Sequence, residues 1–326
     1  MLAALCVQLA LGLVLSVVEP QTLARSGPPW NGLALDTRAG RIYLPGAGGV
    51  RVLDLAGRDL GRVAGLAQVE AVGLAPELGI GFAGNGRTNT VSIFNLATLE
   101  VEKRLRTTGD EPGAVLFEPA SRRLFAFNRR GQNVTAFDAY GGGVAASIPL
   151  GGPPGPAVAD GGGRVYASLG PEIVVVDGRR LEVVGRWPLP AAAVPVALAL
   201  DPERQLLYLT TRDGQLWPLD VSTGALRPSL ATGAPAAGLV CDPGTHEIFV
   251  ASDQGSLWRS LGDRVRLPAG ARGLVLDTRS HRLYIPYVER PGSDINTHSG
   301  PLVVPIRIIG DDEAPGSHGK GSFLAR

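Results

Sequence analysis

Residues Val194–Leu230 read VPVALALDPERQLLYLTTRDGQLWPLDVSTGALRPSL. Short apolar runs, VALAL, LLYLT and LWPLD, alternate with clusters of turn residues such as Asp201-Pro202-Glu203 and Asp213-Gly214. Runs of this length, rich in Val, Ile, Leu and Tyr and punctuated this way, are strands of an antiparallel meander. No stretch of about ten residues keeps a helical period.

The plan recurs on both sides of this unit. A Tyr or Phe falls at Tyr43, Phe82, Phe125, Tyr166, Tyr208, Phe249 and Tyr284, in steps of 39, 43, 41, 42, 41 and 35 residues by subtraction. An acidic residue closes the first strand of most units, at Asp36, Glu118, Asp160, Asp201, Asp242 and Asp277. The third strand ends at Asp54, Asn95, Asp138, Asp177 and Asp220. Short carboxylates and amides at strand ends accept hydrogen bonds from backbone N–H groups two residues on, so turn-forming is their expected job. Unit two carries Ala75-Pro76 instead of the acidic closer, and unit six has Ser260 in place of the third-strand Asp. Unit seven is longer, with an insertion over Val288 to Pro301 before a strand at Leu302 to Ile309.

A four-stranded unit of about 40 residues has two apolar faces and cannot cover both alone. Radial stacking into a ring buries each face against the next unit and leaves no terminal face exposed. The expectation is an all-β, seven-bladed β-propeller of four-stranded antiparallel blades over residues 25–310, with the recurring aromatic wedged between neighbouring blades. Unit seven has only three strands of its own, so ring closure needs a strand from Val17 to Ser26.

Composition agrees. The chain has 45 Gly and 26 Pro among 326 residues, with 44% hydrophobic residues, which suits many strands joined by tight turns. With 31 basic and 30 acidic residues, the totals lack the basic excess of a typical nucleic-acid binder. Cys6 and Cys241 are the only cysteines, and Cys241 reads as a small buried apolar residue. Leu2 to Val18 carries no charge. It is short for a spanning helix, which needs about 20 residues, and long enough for the apolar region of a secretory leader. Residues 1–24 are therefore expected to be a signal peptide, with membrane association only if the segment is retained. From Gly310 the chain turns polar and Gly-rich, and 311–326 is expected to be a disordered tail.

Two units carry a family resemblance. GFAGNGRTNTVSIFNLATLEVEKRL (Gly81–Leu105) and LFAFNRRGQNVTAFDAY (Leu124–Tyr140) resemble the YVTN β-propeller repeat, with Asn85 and Asn128 matching its Asn and Thr90-Val91-Ser92-Ile93-Phe94-Asn95 the following strand. Units one, four, five and six lack the Asn. The resemblance implies a mostly bacterial family, exported to the periplasm or cell surface and seldom assigned a reaction. Function still has to be argued from a site.

Propellers bind at the mouth of the central channel. Candidates entering the inner strands are Trp30, Asn31, Glu70, Glu111 and Arg272. In the loops between second and third strands they are Arg87, Asn89, Arg129, Arg130, Arg212 and Asp253. The expected partner is a protein, polymer or small ligand held on this loop face, without catalysis, cofactor or metal. One alternative is a lactonase-like hydrolase, whose calcium would fall to Glu70, Asn31 and Glu111. Another is an anion or single-stranded nucleic-acid binder built on loop arginines. Asp294, Asn296 and His298 alternate along an extended segment and make only a weak metal motif. Asn133-Val134-Thr135 fits a glycosylation acceptor.

Overall fold

The computed structural model describes residues 14–17, 21–23, 32–46, 48–66, 68–261, 264–267, 269–270, 273–286, 302–304 and 306–310. The chain is an all-β propeller of four-stranded antiparallel blades. A single turn of 3-10 helix, Pro76–Leu78, interrupts the strands; it stands where unit two lacks its acidic closer.

Six blades form from consecutive strands. Blade two, for example, runs Val69–Ala75, Ile80–Asn85, Thr90–Asn95 and Val101–Arg106. Blade three runs Pro112–Glu118, Arg123–Asn128, Asn133–Asp138 and Val144–Pro149. Seven blades were expected, the seventh closed by an N-terminal strand, and unit seven does not form a sheet from consecutive strands. Its strands Val275–Asp277 and Arg282–Pro286 join Ile306–Gly310, and Val14–Val17 completes that sheet on the outside. The completing strand ends at Val17, where the expected Val17–Ser26 window begins. Gln21–Leu23, inside that window, pairs instead with Leu302–Val304 in a separate two-stranded sheet. The expected strand Leu302 to Ile309 is thus two strands serving two sheets. The insertion Val288 to Pro301, with its His298 motif, and the tail 311–326 lie outside the described residues.

The aromatic wedges sit where the repeat puts them. All seven are at most 7% exposed. Each shares a core cluster with the blade that follows: Phe82 with Val115 and Leu124, Phe125 with Val165 and Val174, and Tyr166 with Leu207 and Leu219. Tyr284 shares a cluster with Ile42, Leu44 and Leu53 of the first blade, which joins the last unit to the first. Fully burying one such side chain contributes about 1.5–3 kcal/mol. Arg279 reinforces the junction by donating from Nη1 to the Thr37 carbonyl at 3.1 Å.

The strand-end carboxylates do the local work expected of them. Asp36 Oδ1 accepts from the N–H groups of Arg38 and Ala39, and Glu118 accepts from those of Ala120 and Ser121. Asp138 and Asp220 do the same at the ends of third strands. In unit six, the Ser260 hydroxyl oxygen accepts from the Ile248 N–H at 2.9 Å. Asn133 is 8% exposed and donates to Thr108 and Ser147, so it is a buried network member and not an accessible glycan acceptor.

Candidate functional site at the channel mouth between blades two and three

The inner strands surround a cavity of about 320 Å³ whose lining draws on every unit, from Gly32 in the first through Gly155 in the fourth to Gly273 in the seventh. Its walls are mostly Gly, Ala, Val and Leu, and among the described residues Arg129 is the one charged side chain lining it. Beside it opens a second cavity of about 410 Å³, lined by Gln68, Glu70, Gly86, Arg87, Asn89, Asp110, Glu111 and Arg130. Four predicted site residues, Glu70, Arg87, Glu111 and Arg130, thus share one opening, and Arg129 stands next to it.

Local backbone features place these side chains. Val69 pairs with Asn85 and Ala71 with Gly84, so Glu70 is the extra residue of a β-bulge. A bulge re-aims the side chain it carries. Bulges recur near the start of three other inner strands, with Gly113, Val196 and Ala237 at the extra position. Only blade two puts a carboxylate there. Glu70 was expected ahead of the strand and lies within it.

Glu111 has φ 62° and Asn89 φ 53°, both in the left-handed region. For a Glu that region is strained and persists only where surrounding bonds over-determine it. Here they do. The Glu111 N–H donates to Asn89 Oδ1 at 2.9 Å, and the Glu111 carbonyl accepts from the Arg129 N–H at 2.8 Å. Asn89 Nδ2 donates to Asp110 Oδ1 at 2.6 Å.

Arg129 bridges two carboxylates. Its Nη1 lies 3.0 Å from Glu111 Oε1 and 3.7 Å from Glu70 Oε2. Two glycines make room: a Cβ on Gly113 would stand 2.7 Å from Arg129 Nη2, and one on Gly86 would stand 2.5 Å from Glu70 Oε1. Burial raises the Glu70 carboxyl above its ordinary pKa; Arg129 pulls it back in part, and the Glu111 charge adds to the rise. The guanidinium occupies the space between the two glutamates that a shared calcium ion would need. No group of three or more His, Cys, Asp or Glu among the described residues is arranged to hold a metal ion.

Arg87 and Arg130 are exposed and have no carboxylate within 4 Å among the described residues. Arg212 and Asp253 are exposed and line neither cavity. Trp30, Asn31 and Arg272 lie outside the described residues. On the opposite face, His246 Nδ1 lies 2.8 Å from Asp201 Oδ2 and His281 Nδ1 lies 2.6 Å from Asp242 Oδ2, each pair joining two neighbouring blades. Both histidines stand in turns before the recurring aromatic, and their partners come from the neighbouring blade. Comparisons with protein-family models and with curated proteins find no match to this chain.

Proposed function

We propose that this chain is an exported, non-catalytic binding protein of the YVTN-repeat type, a ring of seven blades that holds its ligand at the channel mouth between blades two and three. The observation that carries the reading is convergence: Glu70, Arg87, Glu111 and Arg130, from four separate loops and strands, line one opening of about 410 Å³. That size lies at the small end of ligand pockets. The blade count of seven rests on the packing of Tyr284 against the first blade, with the sheet completed by Val14–Val17 as the closing blade. Export rests on the uncharged run Leu2–Val18. Cleavage after Ala24 would remove both N-terminal strands, so mass spectrometry of the mature N-terminus bears on export and closure together.

The test of the binding reading is a calorimetric screen of small polar ligands on wild type and on the Arg87→Ala/Arg130→Ala variant. A ligand of this site should lose about tenfold or more in affinity, since a charged hydrogen bond removed from a ligand is worth at least that much. Ligands that bind equally well to both proteins would place recognition elsewhere. The hydrolase alternative predicts EDTA-sensitive lactone cleavage. The nucleic-acid alternative predicts binding that falls steeply with salt.

A further inference from the structure

The cavity's charges indicate what it takes. Glu70 and Glu111 share one guanidinium, that of Arg129, which leaves one negative charge over. Asp110 supplies a second; its carboxylate accepts from the neutral Asn89 amide. Against these stand two cations without acidic partners among the described residues, Arg87 and Arg130. The site therefore holds unpaired charge of both signs in one small volume while being close to neutral overall.

We propose that this opening binds a small zwitterion bearing a carboxylate and an ammonium group, with a free amino acid as the chemical class; the proposal rests on the binding reading above. The carboxylate is received by the forked guanidinium donors of Arg87 and Arg130, whose geometry suits a carboxylate's two oxygens. The ammonium is received by Asp110 and by the excess charge of Glu70 and Glu111.

Other occupants fit less well. A polyanion such as single-stranded nucleic acid would meet three carboxylates, and among the described residues the lining offers no aromatic ring for base stacking. A hydroxy acid satisfies the arginines, yet its hydroxyls leave the excess negative charge uncompensated. A polyamine does the reverse and leaves Arg87 and Arg130 unpaired. Only a ligand carrying both signs meets both excesses.

The experiment is isothermal titration of the full chain with glycine, L-alanine and L-glutamate, then with their N-acetylated and C-amidated forms. Free amino acids should bind, and capping either end should weaken binding about tenfold or more, because each cap removes one charged partner. Asp110→Asn should weaken the free amino acid and leave the N-acetyl form unchanged, since that form has no ammonium to lose. The capping series needs no variant, so a folding defect in Asp110→Asn leaves the test intact. Equal binding of N-acetylated and free forms would overturn the zwitterion and leave a plain anion site. Binding of an acidic saccharide or an oligonucleotide, lost in Arg87→Ala/Arg130→Ala, with no amino-acid binding, would overturn the ligand class while the binding reading stands. No ligand sensitive to Arg87 and Arg130 would sink both.

Discussion

Replacing Arg129 by alanine removes the guanidinium that Glu70 and Glu111 share, at 3.7 and 3.0 Å. Two unit charges about 4 Å apart attract by about 1 kcal/mol in water and about 4 kcal/mol at the effective dielectric near a protein surface. The arginine side chain is 49% exposed and the glutamates 23% and 28%. Screening at that exposure holds the loss near the lower figure, about 1 kcal/mol. The pH dependence is more telling. Burial already raises the Glu70 carboxyl, with Arg129 opposing and Glu111 adding to the rise. A carboxyl with a higher pKa folded than unfolded binds its proton more tightly in the folded state. Its stability penalty is absent below the unfolded value and grows as pH rises through the folded one. Without Arg129 that penalty deepens, so Arg129→Ala should cost more at about pH 7 than at about pH 4, the ordinary carboxylate range. Equilibrium urea unfolding at the two pH values measures this. Adding Glu70→Gln should recover most of the loss at the higher pH. Equal losses at both, or no recovery, would refute the argument that Arg129 opposes the rise of the Glu70 pKa.

Four further outcomes follow from other parts of the propeller. Tyr284→Ala empties the wedge between the last unit and the first and should cost about 3–5 kcal/mol in urea unfolding. Tyr284→Phe should cost under about 1.5 kcal/mol, because Phe82, Phe125 and Phe249 fill the same register elsewhere. For Asp242, burial raises the carboxyl, but hydrogen bonds from His281 and the Gly244 N–H outweigh it and hold the pKa below the ordinary value. Its stabilisation is present above the unfolded pKa and lost as pH falls through the lowered one. His281→Ala should therefore move the onset of acid unfolding, followed by circular dichroism, to higher pH. Burial, with Asp201 and Asp242 nearby, pushes the Cys241 thiol up to about 12. Iodoacetamide near pH 8 should spare the Cys241 peptide in native protein and label it in urea, read by mass spectrometry.

What the sequence disclosed was what repeats locally. The aromatic wedges and the strand-end carboxylates act within a few residues of their own positions or against the next copy, so periodicity alone locates them. The Asn85 and Asn128 positions were only half read. In the same register, at the end of the second strand, stand Ser168, Thr211 and Ser252, all buried. Thr211 bonds Asp213, and the Ser252 hydroxyl accepts from the Gln254 N–H at 3.1 Å. In units five and six a hydroxyl thus bonds within the loop where units two and three use an amide, whereas unit one has Gly46 there. Pairing of an N-terminal strand with unit seven was legible from the missing fourth strand, but which residues supply it was not, because Val14 pairs with Gly310 across nearly the whole chain with no turn to set the register. The Glu70–Arg129–Glu111 bridge stayed hidden for a related reason. It needs the bulge at Glu70 and the left-handed Glu111 to bring three separate segments together, and one letter at a time shows neither.

The most direct test of the account is a map of backbone amide chemical shifts in the isotopically labelled protein as a bound ligand is titrated. The account predicts that the largest changes cluster at Gly86, Arg87, Asn89, Asp110, Glu111 and Arg130, the residues of the opening between blades two and three. Changes centred instead on the opposite face, around His246 and His281, or on the closing sheet near Tyr284, would contradict it.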